Sequence, residues 1–163
     1  MNDVNRSPLS GDELLTWAAL ATVLEWLPPA LDARLVREFD LTHFEYGILY
    51  ALAAAPQRTL RMSVLAGYAN SSLSRLSRAV TRLERRDWIS RTRDPADGRS
   101  TLAILTARGL EVFENATPVH EQTVTELVLD PLTSAQKLQL RAISERIQRA
   151  IREKEGWGPP STA

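Results

Sequence analysis

The chain has 163 residues, enough for one compact domain with helical extensions, and its 20 basic and 20 acidic residues give a net charge of zero. It contains no cysteine, which excludes disulfide bonds, thiolate metal sites and cysteine-based peroxide sensing. Its first ten residues lack the pattern of a signal peptide, and no uncharged apolar run approaches the roughly 20 residues of a spanning helix, so a soluble cytoplasmic protein is predicted.

The first predicted helix covers about residues 12–38. Pro28 and Pro29 interrupt it, and because proline removes a backbone donor and clashes with the preceding turn, we expect a kink or two shorter pieces. Three helix starts carry the spacing of a capping box, in which Ser or Thr stands three residues before Glu or Gln. These boxes begin at Ser10, Thr42 and Thr133.

The remaining predicted elements are three helices, a β-hairpin and two more helices. Apolar periodicity predicts helices over about residues 43–54, 61–68 and 72–86. β-branched and bulky apolar residues predict strands over 88–93 and 100–105, with turn-forming residues between them. Thr106 is predicted to cap a helix that ends near residue 129, and a last helix covers 134–155 before a frayed tail at 156–163.

The helix predicted over residues 72–86 separates two kinds of side chain. At 100° per residue, four arginines fall within about an 80° arc and four apolar residues fall in a similar arc on the opposite side. The arginines are Arg75, Arg78, Arg82 and Arg85, and the apolar residues are Leu73, Leu76, Val80 and Leu83. Hydroxyl side chains stand at the helix start, at Ser71, Ser72 and Ser74.

Such a helix suits the major groove of DNA. Arginine can bond guanine in a bidentate way, serines can reach bases or phosphates, and a helix start offers free backbone donors to a phosphate. Between Arg58 and Arg99 the chain also holds ten arginines against four acidic residues, a concentration of charge that attracts a polyanion. The alternative is a solvated face on an ordinary amphipathic helix, which is the commoner origin of a charge stripe.

The hairpin that follows adds more positive charge. Arg91, Arg93 and Arg99 surround a short loop whose tip is predicted at Asp97 and Gly98. An arginine near a hairpin tip suits the minor groove, because narrow A·T-rich DNA has an enhanced negative potential there. The alternative is a surface hairpin with ordinary turn chemistry.

Residues 41–109 resemble the winged helix-turn-helix core of the MarR family of bacterial transcription regulators. The most specific stretch is 94–100, Asp-Pro-Ala-Asp-Gly-Arg-Ser, and it is closed by Leu105, Thr106 and Gly109. Residues 41–46, 65–66 and 80–86 add weaker similarity. The chain departs from the family at Asp87 and Trp88, where Gly and Leu are usual, and this departure concerns the helix exit rather than the hairpin.

The resemblance implies a mainly α fold with a small β-hairpin wing (α+β) in a single domain. A winged helix-turn-helix core at about 41–109 would be flanked by dimerisation helices at about 10–38 and 107–155. The family acts as a homodimer on a pseudo-palindromic double-stranded DNA operator, commonly as a repressor that a small molecule releases. Residues 72–86 would enter the major groove and Arg99 the minor groove, and Asp97 would help to hold that arginine.

The last predicted helix carries an apolar stripe. Its members, at three- and four-residue spacings, are Leu140, Ile143, Ile147 and Ile151. A stripe of this kind can be intramolecular core or a dimer seam, and the family plan favours the dimer. A two-fold dimer would place its two recognition helices about 34 Å apart, one turn of DNA.

Four aromatic residues are candidates for an effector pocket: Trp17, Trp26, Tyr46 and Tyr50. The resemblance implies a small aromatic effector between the dimerisation helices and the DNA-binding core, whereas aromatic residues at helical spacing are also ordinary core. His43 is predicted to be an exposed first-turn residue and His120 a surface or interface residue. Two histidines without cysteine do not make a metal site by count, so neither metal nor cofactor is predicted.

Two other classes of function are weighed. An enzyme would need a nucleophile with an oriented base or paired carboxylates, and the chain has no G-x-S-x-G motif, glycine-rich phosphate loop or cysteine, so an enzyme is rejected. A winged helix that binds protein instead of DNA is the second alternative, because a fold alone does not decide function. The arginine face favours DNA over that alternative.

Overall fold

Eight helical segments and three strands make up the computed structural model, which describes residues 8–155. The helices are α1 (Gly11–Phe39), α2 (His43–Ala54), α3 (Met62–Tyr68), α4 (Leu73–Arg85), α5 (Ala107–Val124), a π-helical turn (Thr125–Leu129) and α6 (Ser134–Glu155). The strands are β1 (Thr59–Arg61), β2 (Ile89–Asp94) and β3 (Asp97–Leu105), and a 3-10 turn (Pro56–Arg58) precedes β1. The predicted tail at 156–163 lies outside the described residues.

The three strands form one antiparallel sheet in the order β1-β3-β2. Leu60 of β1 pairs with Ala103 of β3, and Ile89 of β2 pairs with Leu105. The predicted mainly α fold with a β-hairpin is therefore confirmed. The first strand was not predicted, because three residues are too few to display an alternating pattern.

Helix α1 runs through Pro28 and Pro29 as one element, so of the two predicted outcomes, a kink or two shorter pieces, the second is wrong. The prolines cannot donate to the carbonyl groups of Leu24 and Glu25, but the other hydrogen bonds of a helix of 29 residues remain available. Ser10 makes no side-chain cap, which also contradicts the sequence analysis. The other two predicted capping boxes are confirmed, one between Thr42 and Glu45 and one between Thr133 and Gln136.

The hydrophobic core lies around α2, between α1, α5 and the α3–α4 pair. Its fully buried side chains include Leu35, Leu41, Ile48, Leu49, Leu52, Leu65, Leu76, Val80, Leu83 and Ile89. The apolar face predicted for α4 is confirmed at three positions, but Leu73 is 55% exposed. Leu73 is the first residue of the helix, and this end of the helix lies outside the core.

Two helical surfaces stay outside this core. Nearly every described residue of α6 is exposed, including Ile143 and Ile147 of its apolar stripe. The N-terminal half of α1 is exposed as well, with Trp17 and Trp26 among its apolar side chains. By length and composition alone, α1 is apolar enough to cross a membrane, with a mean hydropathy of 1.4 over 18 residues. This test accepts up to two charged residues in the window, whereas the sequence analysis considered uncharged runs, and the longest uncharged run in α1, residues 14–24, stays well short of 20. Core helices and signal sequences pass the same test.

Candidate nucleic-acid interface

The start of α4 is an exposed cluster of hydroxyl groups. Ser72 is the N-cap, and its Oγ accepts the backbone N–H of Arg75 at 3.3 Å. The hydroxyl groups of Ser72 and Ser74 lie 3.2 Å apart, and Ser71 donates to the carbonyl of Ser72. Because these hydroxyls and the unpaired N–H groups of the first turn face solvent, this end of the helix can receive an anion.

The arginines of α4 fall into two groups. Arg78 and Arg85 are exposed and form no ion pair within residues 8–155. Arg75 is also exposed, and its guanidinium lies 4.3 Å from the centre of the Phe44 ring, a cation–π contact that restrains the side chain.

Arg82 turns away from these residues toward α1 and α2. Its Nη2 donates to the carbonyl of Asp40 at 2.9 Å and to the carboxylate at 3.1 Å, and its Nε lies 3.3 Å from Oε1 of Glu45. The predicted arc of four arginines therefore does not present four equivalent cations to solvent.

Arg91 of the hairpin bonds to two residues of α4. Its Nη2 lies 2.5 Å from Oε2 of Glu84 and 3.2 Å from the hydroxyl of Thr81. The hydrogen bonds from Arg91 lower the pKa of Glu84, so this pair stays ionised at neutral pH. The pair joins β2 to α4.

The hairpin turns at Pro95 and Ala96, not at Asp97 and Gly98 as predicted. Asp94 anchors this turn: its Oδ1 accepts the N–H of Ala96 at 2.9 Å, and its Oδ2 pairs with Nε of Arg61 at 2.7 Å. The Ala96 N–H, followed by Arg61, lowers the pKa of the Asp94 carboxyl. Because the Asp94 side chain supplies the turn, the strand can resume one residue before Gly98.

Asp97 holds the backbone of the wing rather than the side chain of Arg99. Its Oδ2 accepts the hydroxyl of Ser100 at 2.8 Å and its Oδ1 accepts the N–H of Arg99 at 3.2 Å. The bond from Ser100, followed by that from Arg99, lowers the pKa of Asp97. Gly98 lies within β3 at negative φ, with open space where a side chain would be.

The wing leaves its arginines exposed beside α4. Arg93 and Arg99 face solvent and have no ion pair among the described residues. A cleft of about 270 Å³ separates the wing from α3 and α4, and Arg99 and Ser100 form one wall of it. The opposite wall carries Ser63 and Ser77. Helix α4 and Arg99 therefore lie on one face of the molecule.

A second, more apolar cavity of about 610 Å³ lies between α2, α5 and the π-helical turn. Tyr46 and Tyr50 line it, as does His120. Trp17 and Trp26, which were predicted to share the pocket, do not line it within one chain. Tyr46 is held by a 3.1 Å hydrogen bond to Thr117, and burial raises the pKa of its phenol.

The two histidines form a pair, and His43 is half-buried rather than exposed as predicted. Nε2 of His120 lies 3.2 Å from Nδ1 of His43, and the rings are nearly parallel. Burial lowers the pKa of both rings, against the opposing charges of Asp32 and Glu121, and each ring therefore stays neutral at pH 7. Residues 8–155 contain no group of three or more His, Cys, Asp and Glu side chains suited to a metal ion.

The sequence analysis did not identify the acidic residues that pair with the arginines of α4 and the sheet, which are Asp40, Glu84 and Asp94. Glu45 was recognised only as a capping-box residue, although it is almost fully buried. The short spacing from Asp94 to Ala96 is readable as a side-chain turn. The pairing of Asp40 with Arg82 joins residues 42 positions apart, and nothing in the local sequence signals it.

The chain is similar to regulators of known family. A family model described as "MarR family" matches residues 39–100. The structure of Sco3205, a MarR family transcriptional regulator from Streptomyces coelicolor in complex with DNA, is 38% identical with a TM-score of 0.89, over 94% of this chain and 96% of that one. PcaV, a transcriptional regulator from Streptomyces coelicolor in complex with its natural ligand, is 25% identical with a TM-score of 0.72, over 88% and 99%.

A curated relative adds sequence similarity over the middle of the chain. The HTH-type transcriptional regulator YdcH of Bacillus subtilis is 32% identical over 87 residues, which are 52% of this chain and 59% of YdcH. The match therefore spans about three fifths of the length of that relative.

Proposed function

The chain belongs to the MarR family of transcriptional regulators, and we propose that it is a homodimeric, sequence-specific repressor that binds a pseudo-palindromic DNA operator in the cytoplasm. The observation that carries the proposal is the shared cleft, which places the wing arginine Arg99 opposite Ser77 of α4. One duplex can then receive α4 in its major groove and the wing in the adjacent minor groove.

The proposed DNA contacts follow from exposure and charge. Arg78 and Arg85 would face the duplex from α4, and Arg93 and Arg99 from the wing. Ser71, Ser72 and Ser74 would contact the backbone phosphates or base edges nearest the helix start. Sco3205, which shares this fold over nearly its whole length, has been crystallised with DNA. No catalytic role is part of the proposal.

The proposed dimer uses the two surfaces that the core leaves uncovered. The apolar stripe of α6 and the apolar N-terminal half of α1 are exposed in a single chain, and burying them against a second copy would remove that area from water. Analytical ultracentrifugation tests this proposal with Ile147→Glu. A charge in the seam should dissociate the dimer, whereas Gln148→Glu, one residue further along the helix, should not. A wild-type monomer at micromolar concentration would contradict it.

We place the proposed effector in the cavity lined by Tyr46 and Tyr50. Its aromatic walls suit a small aromatic molecule, and PcaV is a relative that has been crystallised with a ligand. Gly47 lines this cavity, and a Cβ on it would meet nothing within 4 Å, so we expect Gly47→Leu to occupy part of the cavity. If phenolic acids raise the melting temperature of the wild type, this variant should abolish that effect. An equal response in the variant would place the ligand elsewhere.

DNA binding itself is tested by selecting bound sequences from random duplexes and titrating the best one by fluorescence anisotropy at two salt concentrations. The proposal expects a symmetric motif with half-sites about one helical turn apart and an affinity that falls steeply with salt. A wild-type dimer that binds no duplex at low salt would instead be a protein-binding winged helix.

A further inference from the structure

We propose that Asp40 locks the recognition helix α4 to the end of α1 through Arg82 and Arg86, and that Arg82 supports DNA binding by positioning the helix rather than by touching DNA. The inference rests on the proposed DNA-binding function and deepens it. Some arginines of α4 would then contact the duplex, and others would hold the helix in place.

The lock begins at an unusual backbone position. Asp40 ends α1 in the left-handed conformation, with φ 50° and ψ 43°, and its N–H returns to the carbonyl of Val36 at 2.9 Å. This turn points both the carbonyl and the carboxylate of Asp40 at α4. The carbonyl oxygen accepts Nη2 of Arg82 and Nη1 of Arg86, each at 2.9 Å, and the carboxylate pairs with both guanidinium groups.

Arg82 has a second acidic partner that is hidden from solvent. Glu45 is 4% exposed, and its Oε1 lies 3.3 Å from Nε of Arg82. The other carboxylate oxygen accepts the N–H and the hydroxyl of Thr42, each at 2.9 Å. If Arg82 left to reach a phosphate, Glu45 would remain buried with an uncompensated charge. Arg82 therefore has a structural reason to stay where it is.

Arg86 extends the lock toward the wing. Its Nη1 also lies 3.4 Å from the carbonyl of Phe39, and its guanidinium stacks 4.6 Å from the centre of the Trp88 ring, directly before β2. One acidic residue at the end of α1 thus restrains both the last turn of α4 and the entry to the hairpin. Arg78, on the same helix, has no ion pair within the described residues.

The position of the lock decides what it can control. The N-terminal half of α1 lies in the proposed dimer surface, so the lock fixes α4 relative to the two-fold axis. A dimer reads two half-sites only if its recognition helices have the right separation and tilt. Loosening the lock should therefore weaken operator binding and relax the required half-site spacing, without removing a phosphate contact.

The test compares Asp40→Asn, Arg82→Gln and the double variant with Arg78→Gln as the matched control. Asparagine tolerates the left-handed conformation, so Asp40→Asn removes the charge and keeps the turn. We expect Asp40→Asn and Arg82→Gln each to weaken operator binding about tenfold, the size of losing a charged hydrogen bond, with no further loss in the double variant. Their salt slopes should equal that of the wild type, whereas Arg78→Gln should reduce the slope by about one.

A direct contact between Arg82 and DNA would give different results. If Arg82 contacts DNA directly, Asp40→Asn removes a competing negative charge and should strengthen binding, and Arg82→Gln should reduce the salt slope as Arg78→Gln does. Either result overturns the lock. Circular dichroism tests whether each variant folds. If one does not, Arg86→Gln is measured in its place. If the wild type binds no DNA, the proposed function fails; if only Asp40→Asn is without effect, the lock alone fails.

Discussion

Arg61 and Asp94 join the two edges of the sheet: Nε of the arginine lies 2.7 Å from Oδ2 of the aspartate, which is almost fully buried. Arg61 ends β1 and Asp94 ends β2, and the two strands lie on opposite sides of β3. The ion pair therefore spans the sheet directly before the turn of the hairpin. Its effect is to fix the direction of the turn that follows.

We predict that Asp94→Asn lowers both the melting temperature and the operator affinity. The amide cannot pair with Arg61, although it can still accept the N–H of Ala96. Because the pKa of Asp94 is lowered in the folded chain, its contribution to stability is present above the unfolded pKa and is lost as the pH falls through the lower, folded value. Thermal melts in the acidic range should show a shallower pH dependence for the variant than for the wild type. Identical curves would mean that the ion pair contributes no stability.

Arg99→Ala should reduce operator affinity by about tenfold to a hundredfold and leave the melting temperature unchanged. Arg99 is exposed, and its side chain makes no ion pair among the described residues, so its removal costs the fold little. Anisotropy titration and a thermal melt measure the two effects. Arg108→Ala, at an exposed arginine of α5, is the control and should bind normally. An Arg99 variant that unfolds would make this residue structural.

Gly109→Ala should destabilise the fold by about 1–3 kcal/mol, the usual cost of overpacking. A Cβ at Gly109 would overlap the carbonyl oxygen of Trp88 and come within 2.8 Å of a Leu105 methyl group. Gly98→Ala is the matched control, because a Cβ there meets nothing within 4 Å. Urea unfolding of the two variants compares them directly. Equal midpoints would show that α5 can shift away from Trp88 at no cost.

Acidification should destabilise the folded chain through His43 and His120. Burial lowers the pKa of both rings, so below the ordinary value of 6.5 the unfolded chain binds more protons than the folded one. Stability is therefore complete above that value and declines as the pH falls toward the folded pKa values. His120→Phe keeps an aromatic ring beside Tyr46 and removes one titrating group. Its melting temperature should vary less between about pH 7.5 and pH 5 than that of the wild type; an equal or larger variation would refute the effect.

The sequence predicted those features that depend on neighbours along the chain. The capping box from Thr42 to Glu45, the Thr106 cap of α5 and the bounds of α2 were all readable from short spacings. The wing was found as well, but its tip was misplaced, because the turn at Pro95 and Ala96 depends on where the Asp94 side chain bonds.

What the sequence could not predict are the pairings between distant elements. A helical wheel treats Arg82 and Arg78 alike, yet only Arg82 meets acidic groups from α1 and α2. The two histidines lie 77 positions apart and form a pair because α2 packs on α5. Long-range partners of this kind decide which charged residues remain available, and a single sequence carries no record of them.

The π-helical turn after α5 forms part of the wall of the aromatic cavity, and its hydrogen bonding differs from that of an α-helix. The N–H of Asp130 reaches back five residues to the carbonyl of Thr125 at 2.8 Å, so this turn is wider than those before it. Thr125 and Leu129 both line the cavity. A wider turn at a helix end opens more readily than the regular helix behind it, and its amide hydrogens should exchange with deuterium before those of α5. An occupant of the cavity would then register first as slower exchange in these five residues.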